Sequence, residues 1–93
     1  MSVAGLDVAG LSEADLRAAI LAQAARLRPG TTCCPSEIAR ALSVDWRPLM
    51  APLRAEAFAL AADGRLVVTQ RGRVVGPDAA GPIRLGRPEA EAP

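Results

Sequence analysis

Arginine is the residue type through which this sequence offers most chemistry. All eleven basic residues are Arg, and Lys, His and Tyr are absent. A guanidinium group makes forked hydrogen bonds to phosphate and carboxylate groups. Arg47 and Arg54 are seven positions apart, which places them on one face of a helix. Arg71 and Arg73 flank a glycine in a segment that predicts a tight turn. These four arginines are therefore candidate contacts to phosphate groups.

The positive charge is concentrated in the last third of the chain. Residues 1–64 carry six Arg and seven acidic residues, whereas residues 65–93 carry five Arg and three acidic residues. The whole chain has a net charge of +1 and an isoelectric point near 7.8. That value is well below the range typical of strong nucleic-acid binders, so charge alone predicts weak binding at most.

The missing residue types exclude several catalytic mechanisms. Without His there is no Ser–His or Cys–His pair and no imidazole metal ligand, and without Lys there is no Schiff base. The carboxylates of Glu37, Asp45, Glu56 and Asp63 lie near predicted helix ends, and helix capping accounts for Glu37 and Asp45. We therefore expect no catalytic residues, no cofactor and no enzymatic activity.

The two cysteines, Cys33 and Cys34, are adjacent. Neighbouring residues of a strand point to opposite sides, so we expect one thiol in the core and the other half-exposed. Cys34 precedes a predicted helix, whose dipole favours a thiolate. A redox or metal-sensing role and two ordinary reduced thiols both stay open, but a structural zinc site would need two more ligands.

The chain length fits one domain. No apolar run is long enough to span a membrane, and the first residues lack the features of a signal peptide. We therefore predict a cytoplasmic protein with no membrane partner. The apolar periodicity is weak at both ends of the chain. It therefore predicts a loose arm at residues 1–11, a folded domain at 12–87 and a disordered tail at 88–93.

The spacing of apolar residues predicts three helices, which position the candidate side chains. The first runs over residues 12–28 and begins with a capping box of Ser12 and Asp15. A short strand at 31–33 and a two-turn helix beginning at Pro35 follow.

The third helix is predicted at about residues 46–62, with Asp45 as its N-cap and a buried stripe along one side. Pro52 removes one backbone hydrogen bond, so we expect a kink or a late helix start there.

After residue 64 the apolar period changes from 3.6 to 2, which predicts strands. Residues 65–70 form one strand, 73–75 pair back to it, and 83–85 form a last strand with Arg84 outward. This order of elements predicts an α+β fold: a winged helix-turn-helix of three helices plus a two- to three-stranded β-ribbon wing.

Four strings resemble a known family: CPSEIARAL (34–42), DWRPLM (45–50), DGRLVVTQRGRVV (63–75) and GPIRL (81–85). In this order they resemble the small bacterial domain-of-unknown-function family 3253, over about residues 12–86. The resemblance implies a compact winged helix. It implies no activity, substrate or catalytic residue.

Two functions fit this reading of the sequence. In the first, the third helix lies in the major groove of double-stranded DNA, with Arg47 and Arg54 on the helix and Arg71 and Arg73 on the wing contacting phosphates. The exposed alanines of that helix can touch a thymine methyl group but can hydrogen-bond few base edges.

In the second, the face formed by Ala51, Ala55 and Phe58 packs on another protein or on a second copy of the chain, without nucleic-acid binding. DNA binding is the first hypothesis, and protein interaction or homodimerisation is its alternative.

Overall fold

The computed structural model describes residues 10–88. Its helices are α1 (Glu13–Arg26), α2 (Pro35–Leu42) and α3 (Met50–Ala62), with a 3₁₀ turn at Arg47–Leu49 directly before α3. Its strands are β1 (Thr32–Cys33), β2 (Val67–Gln70), β3 (Arg73–Val74) and β4 (Arg84–Gly86). Within this range, no helix is long and apolar enough to cross a bilayer.

Helix α1 begins with the predicted capping box. The Ser12 hydroxyl accepts a hydrogen bond from the Asp15 amide at 3.1 Å, and the Asp15 carboxylate accepts one from the Ser12 amide at 3.0 Å. Each bond satisfies a backbone N–H near the helix start that has no acceptor within the helix. The helix ends at Arg26, two residues earlier than the prediction.

Helix α2 also begins as predicted, with Pro35 as its first residue. The Glu37 carboxylate accepts a hydrogen bond from the Cys34 amide at 3.2 Å. Glu37 thus has a capping role, and Pro35 loses nothing there because the first helical N–H has no partner within the helix.

The start of α3 corrects one prediction and confirms another. Asp45 is not the N-cap: Leu49 holds that position after the 3₁₀ turn, and the Asp45 amide donates to the Ser43 hydroxyl at 3.1 Å. The expected late start is confirmed. It makes Pro52 the third residue of α3, where its missing N–H is one of those without an intrahelical acceptor.

The sheet is antiparallel throughout, with strand order β1–β4–β2–β3. β4 lies between β1 and β2, with Thr32 opposite Gly86 and Thr69 opposite Arg84. The sheet has four strands rather than two or three because β1 joins the ribbon along the edge of β4. The predicted alternation in the last strand is confirmed, with Arg84 exposed between buried Ile83 and Leu85.

The core lies between the helices and one face of the sheet. Its largest fully buried side chains are Leu16, Ile20, Leu49, Leu53, Leu60, Val68 and Leu85. Leu11, at the end of the predicted arm, also packs against this core. The remainder of the arm, residues 1–9, and all of the predicted tail except Pro88 lie outside the described residues. The fold is α+β and follows the order of a winged helix.

Candidate functional site

The turn between β2 and β3 presents arginine at the tip of the ribbon. Arg71 and Gly72 both have positive φ angles, 53° and 82°. Two consecutive residues in that conformation are typical of a two-residue type I′ hairpin turn. Arg71, Gly72 and Arg73 are all exposed, so the predicted tight turn is confirmed and places two arginines at the surface.

A third arginine joins them in an open groove of about 900 Å³, here called the wing groove. None of the described residues that line it is acidic. Its lining residues are Gln70, Arg71, Arg73, Val75, Ala80, Pro82 and Arg84.

Arg84 is fixed in place by β1. Its Nε donates to the Thr32 hydroxyl and one terminal nitrogen donates to the Thr32 carbonyl, each at 3.0 Å. A guanidinium carries five N–H donors, so the exposed side chain keeps donors for a ligand. The sequence predicted Arg84 outward on the last strand of the ribbon, and the pairing of β4 with β2 places it beside the turn.

Arg54 has a different place from the one that its sequence spacing predicted. Its guanidinium donates to the carbonyls of Ala79 and Gly81, at 2.9 Å for Gly81, and its Cζ lies 5.4 Å from the Phe58 ring centroid. These bonds attach α3 to the loop at residues 76–82. Arg54 does not line the wing groove.

The same loop is held from the sheet side by Gln70. Its side-chain amide donates to the carbonyls of Ala80 and Pro82 at 2.7 and 3.0 Å. Two side chains, one from α3 and one from β2, therefore fix the segment that forms one wall of the wing groove.

Arg47 is the first residue of the 3₁₀ turn that directly precedes α3. Its Cζ is 4.6 Å from the centroid of the Trp46 ring, and the Cζ of Arg40 on α2 is also 4.6 Å away. Cation–π contacts of this kind hold a guanidinium in place while it remains at the surface. Both arginines are exposed, although Arg40 was not among the candidates that the sequence indicated.

The predicted interaction face of α3 is wrong in one residue. Ala51 and Ala55 are exposed as expected, but Phe58 is buried, with 8% of its surface accessible. α3 packs against α1, α2 and β2, so its buried arc is wider than a single helical stripe and includes position 58. Phe58 therefore belongs to the core.

A small apolar cleft of about 230 Å³ lies beside Ala51, where the starts of α2 and α3 meet the segment before β4. Its lining residues are Cys34, Pro35, Met50, Ala51, Arg54, Pro82 and Ile83.

Glu56, one of the carboxylates noted in the sequence, is 8% exposed and forms an ion pair. The Nε and a terminal nitrogen of Arg17 donate to one Glu56 oxygen at 3.0 and 2.7 Å. This hydrogen bond, together with the charge of Glu56, raises the pKa of the Arg17 guanidinium. The pair joins α1 to α3, which gives this carboxylate a structural role.

The cysteines follow the predicted pattern, with Cys33 buried, Cys34 half-exposed and both thiols free. Burial raises the pKa of the Cys33 thiol, and the nearby Glu37 carboxylate adds to that effect. Between residues 10 and 88, no group of three or more acidic or Cys side chains is arranged to hold a metal ion.

Comparison with known proteins identifies a family. Residues 13–88 match the model of a family described as a protein of unknown function, DUF3253. The match confirms the resemblance found in the four sequence strings. No curated protein matches the chain.

Proposed function

The chain belongs to the DUF3253 family, and since that description assigns no activity, we propose from the structure that the domain is a binding module for double-stranded DNA and not an enzyme. Its binding surface consists of the wing groove and the exposed 3₁₀ turn directly before α3. Its two free thiols fit a cytoplasmic location, where cysteines stay reduced.

The observation that carries this proposal is the set of three arginines in the wing groove. Arg71, Arg73 and Arg84 line one open surface on which no described lining residue is acidic. Phosphate contacts from such side chains supply most of the sequence-independent affinity for DNA. Arg47, held against Trp46, adds a fourth exposed guanidinium on the helical side.

The test is the anisotropy of a labelled random-sequence duplex, titrated with the protein at several salt concentrations. Four phosphate contacts predict a slope of log K against log salt of about −4. The Arg71→Gln/Arg73→Gln double variant should weaken binding and reduce the magnitude of that slope by about 2.

The matched control is Arg26→Gln/Arg28→Gln, which removes the same charge from exposed positions at the end of α1. It should leave the slope near the wild-type value. The absence of binding at micromolar protein in low salt, or an equal loss of slope in both double variants, would reject the proposed surface.

A second candidate function is self-association through α3. The specific observation is that exposed Ala51 borders the apolar cleft, so a second copy would find apolar surface there even without Phe58. Sedimentation should then show a mass that rises with concentration in the wild type but not in Ala51→Glu. Ala25→Glu, at an exposed position of α1, is the control, and a wild-type monomer at high concentration would rule the candidate out.

A further inference from the structure

The exposed face of α3 has an unusually uniform composition. The most exposed residues of α3 are all alanines, whereas Arg54 is half-buried: the alanines are Ala51, Ala55, Ala59 and Ala62. A methyl group neither donates nor accepts a hydrogen bond. The helix that a winged helix-turn-helix places against DNA therefore offers mainly methyl groups at its most exposed positions.

The arginines near this face are held by other groups. Arg54 gives hydrogen bonds to two loop carbonyls, and Arg47 lies against the Trp46 ring in the 3₁₀ turn. Recognition of guanine requires one edge of a guanidinium aimed at two acceptors on the base. Both terminal nitrogens of Arg54 already donate to these loop carbonyls, so they are not free as a pair for a base.

We infer that this domain binds duplex DNA without reading its sequence. The inference rests on the proposed function and goes beyond it, because it names the class of target: any duplex. One bidentate contact to a base discriminates by about 1–3 kcal/mol, or roughly 5- to 150-fold in affinity. α3 has no exposed side chain that makes such a contact, whereas the phosphates met by the wing arginines are common to all sequences.

The experiment compares three labelled duplexes of equal length at one salt concentration: A·T-rich, G·C-rich and mixed. We expect dissociation constants within about threefold of one another and the same salt slope for all three. Selection from a random duplex library with the same protein should enrich no motif.

The outcomes separate this inference from the proposed function. If a motif is enriched, or affinities differ by more than tenfold while the salt slope persists, the protein binds DNA but the inference is wrong. If no duplex is bound at all, the proposed function itself fails, and the inference fails with it.

Arg54→Met gives a second test within the same set of duplexes. If Arg54 only supports the loop, the variant loses affinity by the same factor on all three duplexes. A loss confined to the G·C-containing duplexes would show that Arg54 reads guanine, and it would overturn the inference.

Discussion

Arg71 has a backbone conformation that is unfavourable for any residue with a side chain. Its φ of 53° lies in the left-handed region, which costs a non-glycine residue about 1 kcal/mol or more. Asn and Gly are the usual residues at the first central position of such a turn. An arginine at this position is therefore unfavourable for the turn, whereas it adds positive charge to the wing groove.

Replacing Arg71 with Asn should separate stability from binding. Arg71→Asn should unfold at an equal or higher urea concentration, with a gain of up to about 1 kcal/mol, while the magnitude of the DNA salt slope falls by about 0.9. The control is Arg73→Asn, in the extended backbone of β3, which should lose the same slope without gaining stability. An unchanged slope in Arg71→Asn would contradict a phosphate contact from the tip of the ribbon.

Cys33 should make stability fall at alkaline pH. The thiol of an unfolded chain ionises at about pH 8.5, whereas burial raises the pKa of Cys33 in the fold. A raised pKa means that the fold favours the protonated thiol. The contribution of Cys33 to the free energy of unfolding is therefore complete below about pH 8.5 and is lost as the pH rises through the pKa of the folded state.

Urea midpoints between pH 7 and pH 10 measure this loss. His, Lys and Tyr are absent, so no imidazole, amine or phenol side chain contributes to the pH dependence in this window. Cys33→Ala should flatten the dependence, and Cys34→Ala should keep it. An equally steep fall in Cys33→Ala would mean that the buried thiol is not its source.

Hydrogen bonds from Arg54 and Gln70 hold the loop at residues 76–82 in place, so this loop connects α3 to β2 of the wing. Arg54→Met keeps the length and apolar contact of the side chain but removes the hydrogen bonds to Ala79 and Gly81. Amides of the loop should then exchange faster with deuterium, and affinity for DNA should fall because the wall of the wing groove is less fixed.

The salt slope distinguishes this supporting role from direct contact. Arg54→Met should leave the slope unchanged, since no phosphate contact is lost. Arg47→Met should reduce its magnitude by about 0.9 without faster exchange in the loop. A reduced slope in Arg54→Met would instead support the phosphate contact that the sequence spacing suggested.

The features that the sequence predicted correctly are those set by neighbouring residues. The capping box of Ser12 and Asp15, the helix start at Pro35 and the delayed start before Pro52 all follow from the hydrogen bonds that local residues offer or lack. The Arg71–Gly72 turn is of the same kind, because its conformation depends on two residues only.

The features that the sequence did not predict depend on contacts between distant positions. Arg54 and Ala79 are 25 positions apart, and Arg17 and Glu56 are 39 apart. Periodicity gives the direction of a side chain around its own helix, but not which loop or helix will meet it. For the same reason, the burial of Phe58 could not be deduced from the stripe of α3.

Charge is distributed unevenly over the whole molecule. Residues 10–88 contain all eleven arginines but seven of the ten acidic residues, a net charge of +4 against +1 for the entire chain. The other three acids are Asp7, Glu89 and Glu91. Residues 10–88 are thus more basic than the composition of the whole chain indicates.

Neutralising the last two acids should strengthen binding to DNA at low ionic strength. At 0.01 M salt the screening length is about 30 Å, so a carboxylate and a phosphate still repel each other over distances of that order. Glu89→Gln/Glu91→Gln should bind a duplex more tightly in 0.01 M salt and equally at high salt. Equal affinity with the wild type in low salt would show that these acids do not influence the interface.

The order of the strands also has a consequence for synthesis on the ribosome. β4 joins β1 to β2 and β3, so the sheet is incomplete until residue 86 has emerged from the exit tunnel. Arg84 follows its partner Thr32 by 52 positions, which at translation rates of about 5–20 residues per second takes roughly 3 to 10 s. Until β4 is available, β1 has no partner strand and one edge of β2 is unpaired, and such edges can pair with other chains.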